Sequence, residues 1–131
     1  MNVLITLPKH LLESIIAGNK TFEMRKCKPV MMKIGEDGFF VVEKRTDEVK
    51  CWCRVDKVIE TVMTKEIAAR YSKCLCVTSQ FILNYAPLGT KVYMWGIGKC
   101  IKIEGLCRDS LCVKRNPQSF AYCPLSYGES Y

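Results

Sequence analysis

The spacing of hydrophobic residues changes period twice near the start of the chain. Residues 2–6 form a short run of β-branched and apolar side chains, which predicts a strand. Across 9–17 the apolar residues recur as two i,i+4 pairs, which predicts a helix with one buried stripe. Gly18 suits the positive φ that ends such a helix, and a period of two then predicts a strand over 20–25.

Two strongly apolar runs follow, separated by a short polar segment. Residues 39–44 and 49–59 are rich in Val, Ile and aromatic residues, which is typical of strands. The polar residues 45–48 between them have a length that suits a hairpin loop. We therefore expect an antiparallel pair of strands here.

Two helices are predicted in the middle of the chain. Thr64 can cap a helix over 65–72, because its hydroxyl can accept a hydrogen bond from an unpaired backbone N–H. A second helix is expected over 78–85, and Pro87 prevents its continuation.

The last predicted elements are strands. Residues 91–103 are apolar and β-rich, with Gly96 and Gly98 as expected bulge or kink positions. The segment from Gly105 resembles a loop, although 119–123 can form one last strand. Strands dominate and crossovers are few, so we expect a mixed, mostly antiparallel sheet that curls into a small β-barrel with flanking helices, an α+β fold.

Composition limits the class of protein. The chain has 131 residues, of which 49% are hydrophobic and 25% charged, which suits one globular domain over 1–131 and argues against disorder. No apolar run approaches the roughly 18–20 residues that span a bilayer, and the N-terminus lacks the basic segment of a secretory signal. We expect a cytoplasmic protein with no membrane partner. The net charge of +7 favours polyanions such as nucleic acid.

Cysteine is unusually frequent, with nine residues and no export signal. An odd number without secretion favours reduced thiols. Cys51 and Cys53 would share one strand face, which permits two ligands to one metal, but structural zinc sites more often use wider Cys spacings with further Cys or His. We expect buried thiols, no metal site and no cofactor. A cysteine nucleophile needs a base, and His10, the single histidine, is expected on an exposed helix face.

The segment 18–25 has the pattern G-x-K-x-x-E-x-R at the predicted helix-to-strand junction. Lys20 lies at the start of the strand, and Glu23 and Arg25 project to the same side because they are two residues apart. The guanidinium offers a planar set of donors for phosphate or a base edge. Two interpretations stay open: a solvated strand face, or the rim of a binding site.

Residues 7–25 resemble the opening of an ASCH domain, named for activating signal cointegrator homology, in which a helix ends in G-x-K and the next strand carries E-x-R. Residues 93–97 are similar to the closing strand of that family. The resemblance covers about 2–104, and 105–131 looks like a C-terminal extension of phage and bacterial relatives.

This resemblance implies a PUA-like fold and a cleft that binds RNA or a modified nucleoside or nucleotide. Lys20, Glu23 and Arg25 match the motif positions of the family, and Thr21 lies beside them. Tyr93, Trp95 and Tyr122 are candidates for stacking on a base, although aromatic residues on such strands more often pack in the core. Polar contacts to a base edge are expected from Gln118 and Ser119. The oligomeric state is left open.

Enzymatic activity at the same cleft is the alternative. One branch of the family resembles amidohydrolases of acetylated cytidine, with a Thr nucleophile where this chain has Glu23 and a carboxylate from the middle helix. That helix offers Glu66, which we expect to be out of register, and Tyr71 near the expected position of the carboxylate. Another branch implies ribonuclease activity, with Lys20 as electrostatic stabiliser and Glu23 as base. We lean towards binding without catalysis.

Overall fold

The structure, a computed structural model, describes residues 1–124. Residues 125–131, the end of the predicted C-terminal extension, lie outside the described part. The strands are β1 (Asn2–Leu7), β2 (Phe22–Arg25), β3 (Gly38–Glu43), β4 (Glu48–Val62), β5 (Lys91–Cys107) and β6 (Phe120–Cys123). The helices are α1 (Lys9–Ile16), α2 (Lys65–Leu75) and α3 (Ser79–Tyr85), with a 3-10 turn at Arg108–Leu111.

All six strands form one sheet in the order β2-β5-β4-β3-β1-β6. Only β1 and β3 run parallel, joined by α1 and β2, and the other pairs are antiparallel. The predicted α+β class is therefore confirmed. The predicted closure into a barrel is wrong in a strict sense, because β2 and β6 are edge strands without hydrogen bonds between them in the described chain.

Side chains bridge the gap between these two edges. The Arg25 guanidinium on β2 donates from Nη1 to the carbonyl of Ser119, just before β6, at 2.9 Å. The rings of Trp95 and Phe120 also meet across the gap, with centroids 5.8 Å apart. The sheet thus curls until its edges face one another, and a charged group holds them together.

Local sequence explains where the helices begin and end. Gly18 has a φ of +84°, so α1 ends where glycine tolerates the left-handed region. The Thr64 hydroxyl accepts from the backbone N–H of Ile67 at 3.0 Å, as the predicted cap requires. Thr78 caps α3 in the same way through the N–H of Phe81 at 3.1 Å.

The β4–β5 hairpin is long and bent by bulges. Its register shifts at three places, one of them between Cys53 and Val55, opposite the segment with Gly98. A Cβ at Gly98 would lie 2.3 Å from a carboxylate oxygen of Asp56, so a larger residue would displace that side chain. The predicted bulge near Gly98 is therefore confirmed. Extra residues on one strand increase the bending of the pair, which helps the sheet to curl.

The core has three apolar clusters. The first lies between the sheet and α1 and contains the fully buried Trp95. The second lies against the 3-10 turn, and the third packs Met24 of β2 against α2 and α3. Because Met24 packs towards the helices, its neighbours on β2 project to the opposite side. Across residues 1–124, no helix is long and apolar enough to cross a membrane.

Candidate nucleotide-binding pocket

The three charged residues of the G-x-K-x-x-E-x-R motif lie inside the protein. Lys20, Glu23 and Arg25 are 3%, 4% and 6% exposed, so the solvated-face interpretation is excluded. The turn after α1 buries Lys20, because the backbone N–H groups of Asn19 and Lys20 both donate to the carbonyl of Ser14. β2 begins only at Phe22, two residues later than predicted.

These residues form an ion triad with the carboxylate in the centre. Lys20 Nζ lies 3.0 Å from Glu23 Oε1 and donates to the carbonyl of Leu75 at 3.1 Å. Arg25 donates from Nε and Nη2 to Glu23 Oε2, at 2.7 and 2.6 Å. Both carboxylate oxygens are therefore engaged, and each cation is fixed by at least one further contact to the backbone.

The electrostatics of the triad favour the ionised carboxylate. Burial alone would raise the pKa of Glu23, but the adjacent charges of Arg25 and Lys20 outweigh it and hold the pKa below its ordinary value of 4.5. Two cations and one anion leave one excess positive charge in a region shielded from water. Such a site attracts an anion more strongly than a surface cation does.

The triad lines a pocket of about 500 Å³, which we call the cation-lined pocket. The pocket lies among β1, α1, β2, α3 and the α2–α3 turn, and Lys44 after β3 also lines it. Its lining residues are Thr6, Leu7, Pro8, His10, Leu11, Lys20, Glu23, Met24, Arg25, Lys44, Leu75, Cys76, Val77, Thr78, Phe81 and Tyr85.

An aromatic pair from α3 lines the same pocket as the triad. Phe81 and Tyr85 are four residues apart and line the same wall, because i and i+4 share a helix face. Phe81 is 54% exposed, although it is large and apolar. Burial raises the pKa of the Tyr85 hydroxyl above its ordinary value of 10.0, so this group is neutral at physiological pH. Lys26 Nζ lies 4.5 Å from the centre of the Tyr85 ring.

Four of the predicted contact residues lie elsewhere. Thr21 is exposed and outside the pocket lining, and its backbone N–H donates to Cys74 at 2.9 Å. Tyr93 is half-buried against the core beside Arg25 in the sheet. Gln118 and Ser119 are exposed and do not line the pocket, although the Ser119 carbonyl holds Arg25.

Several pocket residues were not anticipated from the sequence. His10 and Lys44 are exposed, as expected for His10, yet both line the pocket. Sequence pattern could not predict that His10 and Lys44 line one pocket, because the two residues are far apart along the chain. The spacing of Phe81 and Tyr85 on a predicted helix was a usable signal, because two aromatics on one face of a short helix need a partner surface.

A second carboxylate does not reach the triad. Glu66, the acid of the middle helix, is exposed and outside the pocket lining. Tyr71 packs edge-on against Phe22, with ring centroids 5.4 Å apart, and also lies outside. Among the described residues that line the pocket, Glu23 is the single acid.

Comparison with solved structures identifies the fold. Three crystal structures of the ASCH protein from Zymomonas mobilis are similar to this chain over 92% of its length. A serine-to-alanine variant aligns with a TM-score of 0.78 at 17% identity, over 87% of its own chain. The unmodified protein gives 0.74 at 17% identity over 86%, and a tyrosine-to-phenylalanine variant gives 0.74 at 18% over 88%.

No protein-family model matches this sequence, and no curated protein matches it either. The likeness is therefore one of three-dimensional structure at low sequence identity. It covers nearly the whole chain. The resemblance noted in residues 7–25 is confirmed at the level of the fold: this chain has the α+β fold of the ASCH structures from Zymomonas mobilis.

Proposed function

We propose that this chain is an RNA- or nucleotide-binding module of the ASCH type, and that its ligand occupies the cation-lined pocket. The observation that carries the proposal is the ion triad. A buried lysine and arginine share one carboxylate, in the wall of a pocket large enough for a nucleoside. The net charge of +7 supports a polyanionic partner.

The two cations have donors left for a ligand. An ammonium has three N–H donors and a guanidinium five. Within residues 1–124, Lys20 uses two donors, on Leu75 and Glu23, and Arg25 uses three, on Glu23 and Ser119. Because both side chains line the pocket, the others are available to a phosphate oxygen or a base carbonyl.

The α3 side of the pocket suits the flat face of a base. Phe81 presents an exposed ring, and base–aromatic stacking is worth about 1–3 kcal/mol per base. Lys44 and His10 add exposed polar groups to the lining, where a phosphate of an extended strand would pass. The pocket therefore combines stacking, hydrogen bonding and charge in the way single-stranded RNA recognition requires.

The state of Glu23 favours binding over catalysis. A general base works best when its pKa lies near the operating pH, whereas the cations hold the pKa of Glu23 below 4.5. Both of its oxygens already accept hydrogen bonds from Lys20 or Arg25. Its role in the proposal is to orient the two cations and to reduce their mutual repulsion.

Binding of short single-stranded RNAs and free nucleotides, measured by fluorescence anisotropy at two salt concentrations, tests the proposal. We expect affinity to fall with salt, and Phe81→Ala to weaken binding by the stacking energy, about tenfold. Leu88→Ala is the matched control, because Leu88 is an equally exposed apolar residue outside the pocket lining. Lys44→Ala should reduce the salt dependence, whereas Lys65→Ala on α2 should not.

Salt-independent binding, or equal losses in the pocket and control variants, would contradict the proposal. Incubation of the protein with acetylated cytidine and with RNA separates it from the enzymatic alternative. Product formation that disappears in Lys20→Met would favour an amidohydrolase or a ribonuclease. Met keeps the length and the apolar stem of Lys20, so a loss of turnover would report on the charge.

A further inference from the structure

Three cysteines converge on the face of the sheet that packs towards α1. The Sγ atoms of Cys51, Cys53 and Cys100 all lie within 4.8 Å of one another. Cys51 and Cys53 share a face of β4 because they are two residues apart, and Cys100 of β5 lies directly opposite Cys53. The register of the β4–β5 pair therefore brings the three thiols together, just before the shift between Cys53 and Val55.

We call these three residues the thiol cluster. The cluster is largely buried, but one of its thiols is partly accessible to solvent. Cys51 and Cys53 are fully buried in the first apolar cluster, and Cys100 is half-buried beside it. All three are free thiols. The thiol cluster has no residue in common with the lining of the cation-lined pocket, so it is independent of the proposed function.

We propose that the thiol cluster binds one thiophilic cation through three thiolates. A metal–thiolate bond is about 2.3 Å, so three sulfurs arranged trigonally around one ion are separated by about 4.0 Å. The sulfurs already lie within 4.8 Å, and an ion would need to draw them together by less than about 1 Å. Side-chain rotation on neighbouring strands can supply this movement.

The donor set selects the kind of cation. In the described chain, no His, Asp, Glu or further Cys joins these three residues. An all-sulfur set favours soft ions such as Cu(I) and Zn(II) over hard ions such as Mg²⁺. Cu(I) accepts three sulfurs, whereas Zn(II) is usually tetrahedral and would take its fourth ligand from solvent at the half-buried Cys100.

Binding is an exchange of protons for one cation. Three S–H bonds break, three metal–sulfur bonds form, and three protons pass to the solvent. The cation keeps its oxidation state, so neither an oxidant nor a reductant is consumed. Affinity should accordingly rise with pH.

Titration of the reduced full chain under argon tests the proposal, with Cu(I) in competition with a chromophoric chelator and with Zn(II) in a parallel arm. We expect one tight equivalent per chain in at least one arm, and the two affinities identify the cation. Cys100→Ser should weaken this equivalent by about tenfold or more, since even loss of an outer hydrogen-bond partner of a metal ligand costs that much. Cys107→Ser and Cys27→Ser, at exposed thiols outside the cluster, are the matched controls and should change nothing.

A second measurement needs no variant. Brief alkylation of the native protein should label the accessible thiols, which include Cys100, and one equivalent of the cation should protect Cys100 alone. The other accessible thiols are Cys27, Cys74, Cys76, Cys107 and Cys112. Any of three results would overturn the proposal. These are protection of exposed thiols instead of Cys100, equal binding of the cation by Cys100→Ser and the unmodified chain, and no tight equivalent in either arm. These outcomes leave the RNA-binding experiment unaffected, because they concern a separate site.

Discussion

Replacement of Glu23 by Gln tests whether one carboxylate holds the site together. The substitution keeps the shape of the side chain but leaves Lys20 and Arg25 without their shared counter-ion, at 3% and 6% exposure. Removing one partner of a buried ion pair costs about 3–5 kcal/mol, since the remaining charge stays buried and uncompensated. Here two cations lose their partner at once, so we expect a loss near the upper end of that range.

Urea denaturation followed by circular dichroism measures this change as a difference in the free energy of unfolding. Glu60→Gln is the matched control, because Glu60 pairs with Lys91 at 3.8 Å on the exposed surface. A surface pair contributes at most about 1 kcal/mol. If Glu23→Gln costs no more than Glu60→Gln, the argument that the triad is a tightly coupled buried unit is refuted.

The pH dependence of the free energy of unfolding supplies a second readout of the Glu23 carboxylate. The folded state lowers the pKa of Glu23 below 4.5, so its stabilisation is fully present above that pH and is lost as the pH falls through the folded pKa. The free energy of unfolding should therefore decrease on acidification below about pH 5. Asp37, whose pKa is also lowered, contributes in the same direction, and the weaker slope of Glu23→Gln isolates the part due to Glu23.

Three further outcomes follow from local geometry. Gly38→Ala should destabilise the chain by about 3 kcal/mol or more in urea denaturation, because a Cβ would lie 1.8 Å from the carbonyl oxygen of Cys53. Gly105 has a φ of +75° but open space around the position of a Cβ, so Gly105→Ala should lower the free energy of unfolding by only about 1 kcal/mol. An equal loss of stability at both glycines would contradict the steric explanation for Gly38. Thr78→Ala should lower the free energy of unfolding by about 1 kcal/mol, because it removes the cap of α3. It should also weaken RNA binding, because the cap accepts from the backbone N–H of Phe81. Unchanged RNA affinity would contradict the link between the cap and Phe81.

Local patterns predicted most of the secondary structure. The order of strands and helices is as expected, and the predicted cap at Thr64 is confirmed. The errors lie at the ends of elements, where β5 runs to Cys107 instead of 103 and α2 runs to Leu75 instead of 72. Long-range strand pairing and helix packing extend an element beyond the point where its own residues favour it.

The motif at the helix-to-strand junction also followed from the sequence, because Glu23 and Arg25 must share a face of any strand that contains them. The sequence did not show whether that face is exposed to solvent or buried. A charged strand face is ordinarily solvated, and only the closing of the sheet edges around Arg25 and Ser119 buries it.

Sequence pattern alone predicted the helices and strands, their order, and the group of charged residues that follows α1. Tertiary structure decided which distant residues join them: Lys44 and Phe81 at the pocket, and Cys100 opposite Cys53. Periodicity reports only the burial of a residue relative to its own strand or helix. Contacts between separate elements depend on register, bulges and the curl of the whole sheet. A shift of one residue in the pairing of β4 with β5, for example, would move Cys100 to the other face.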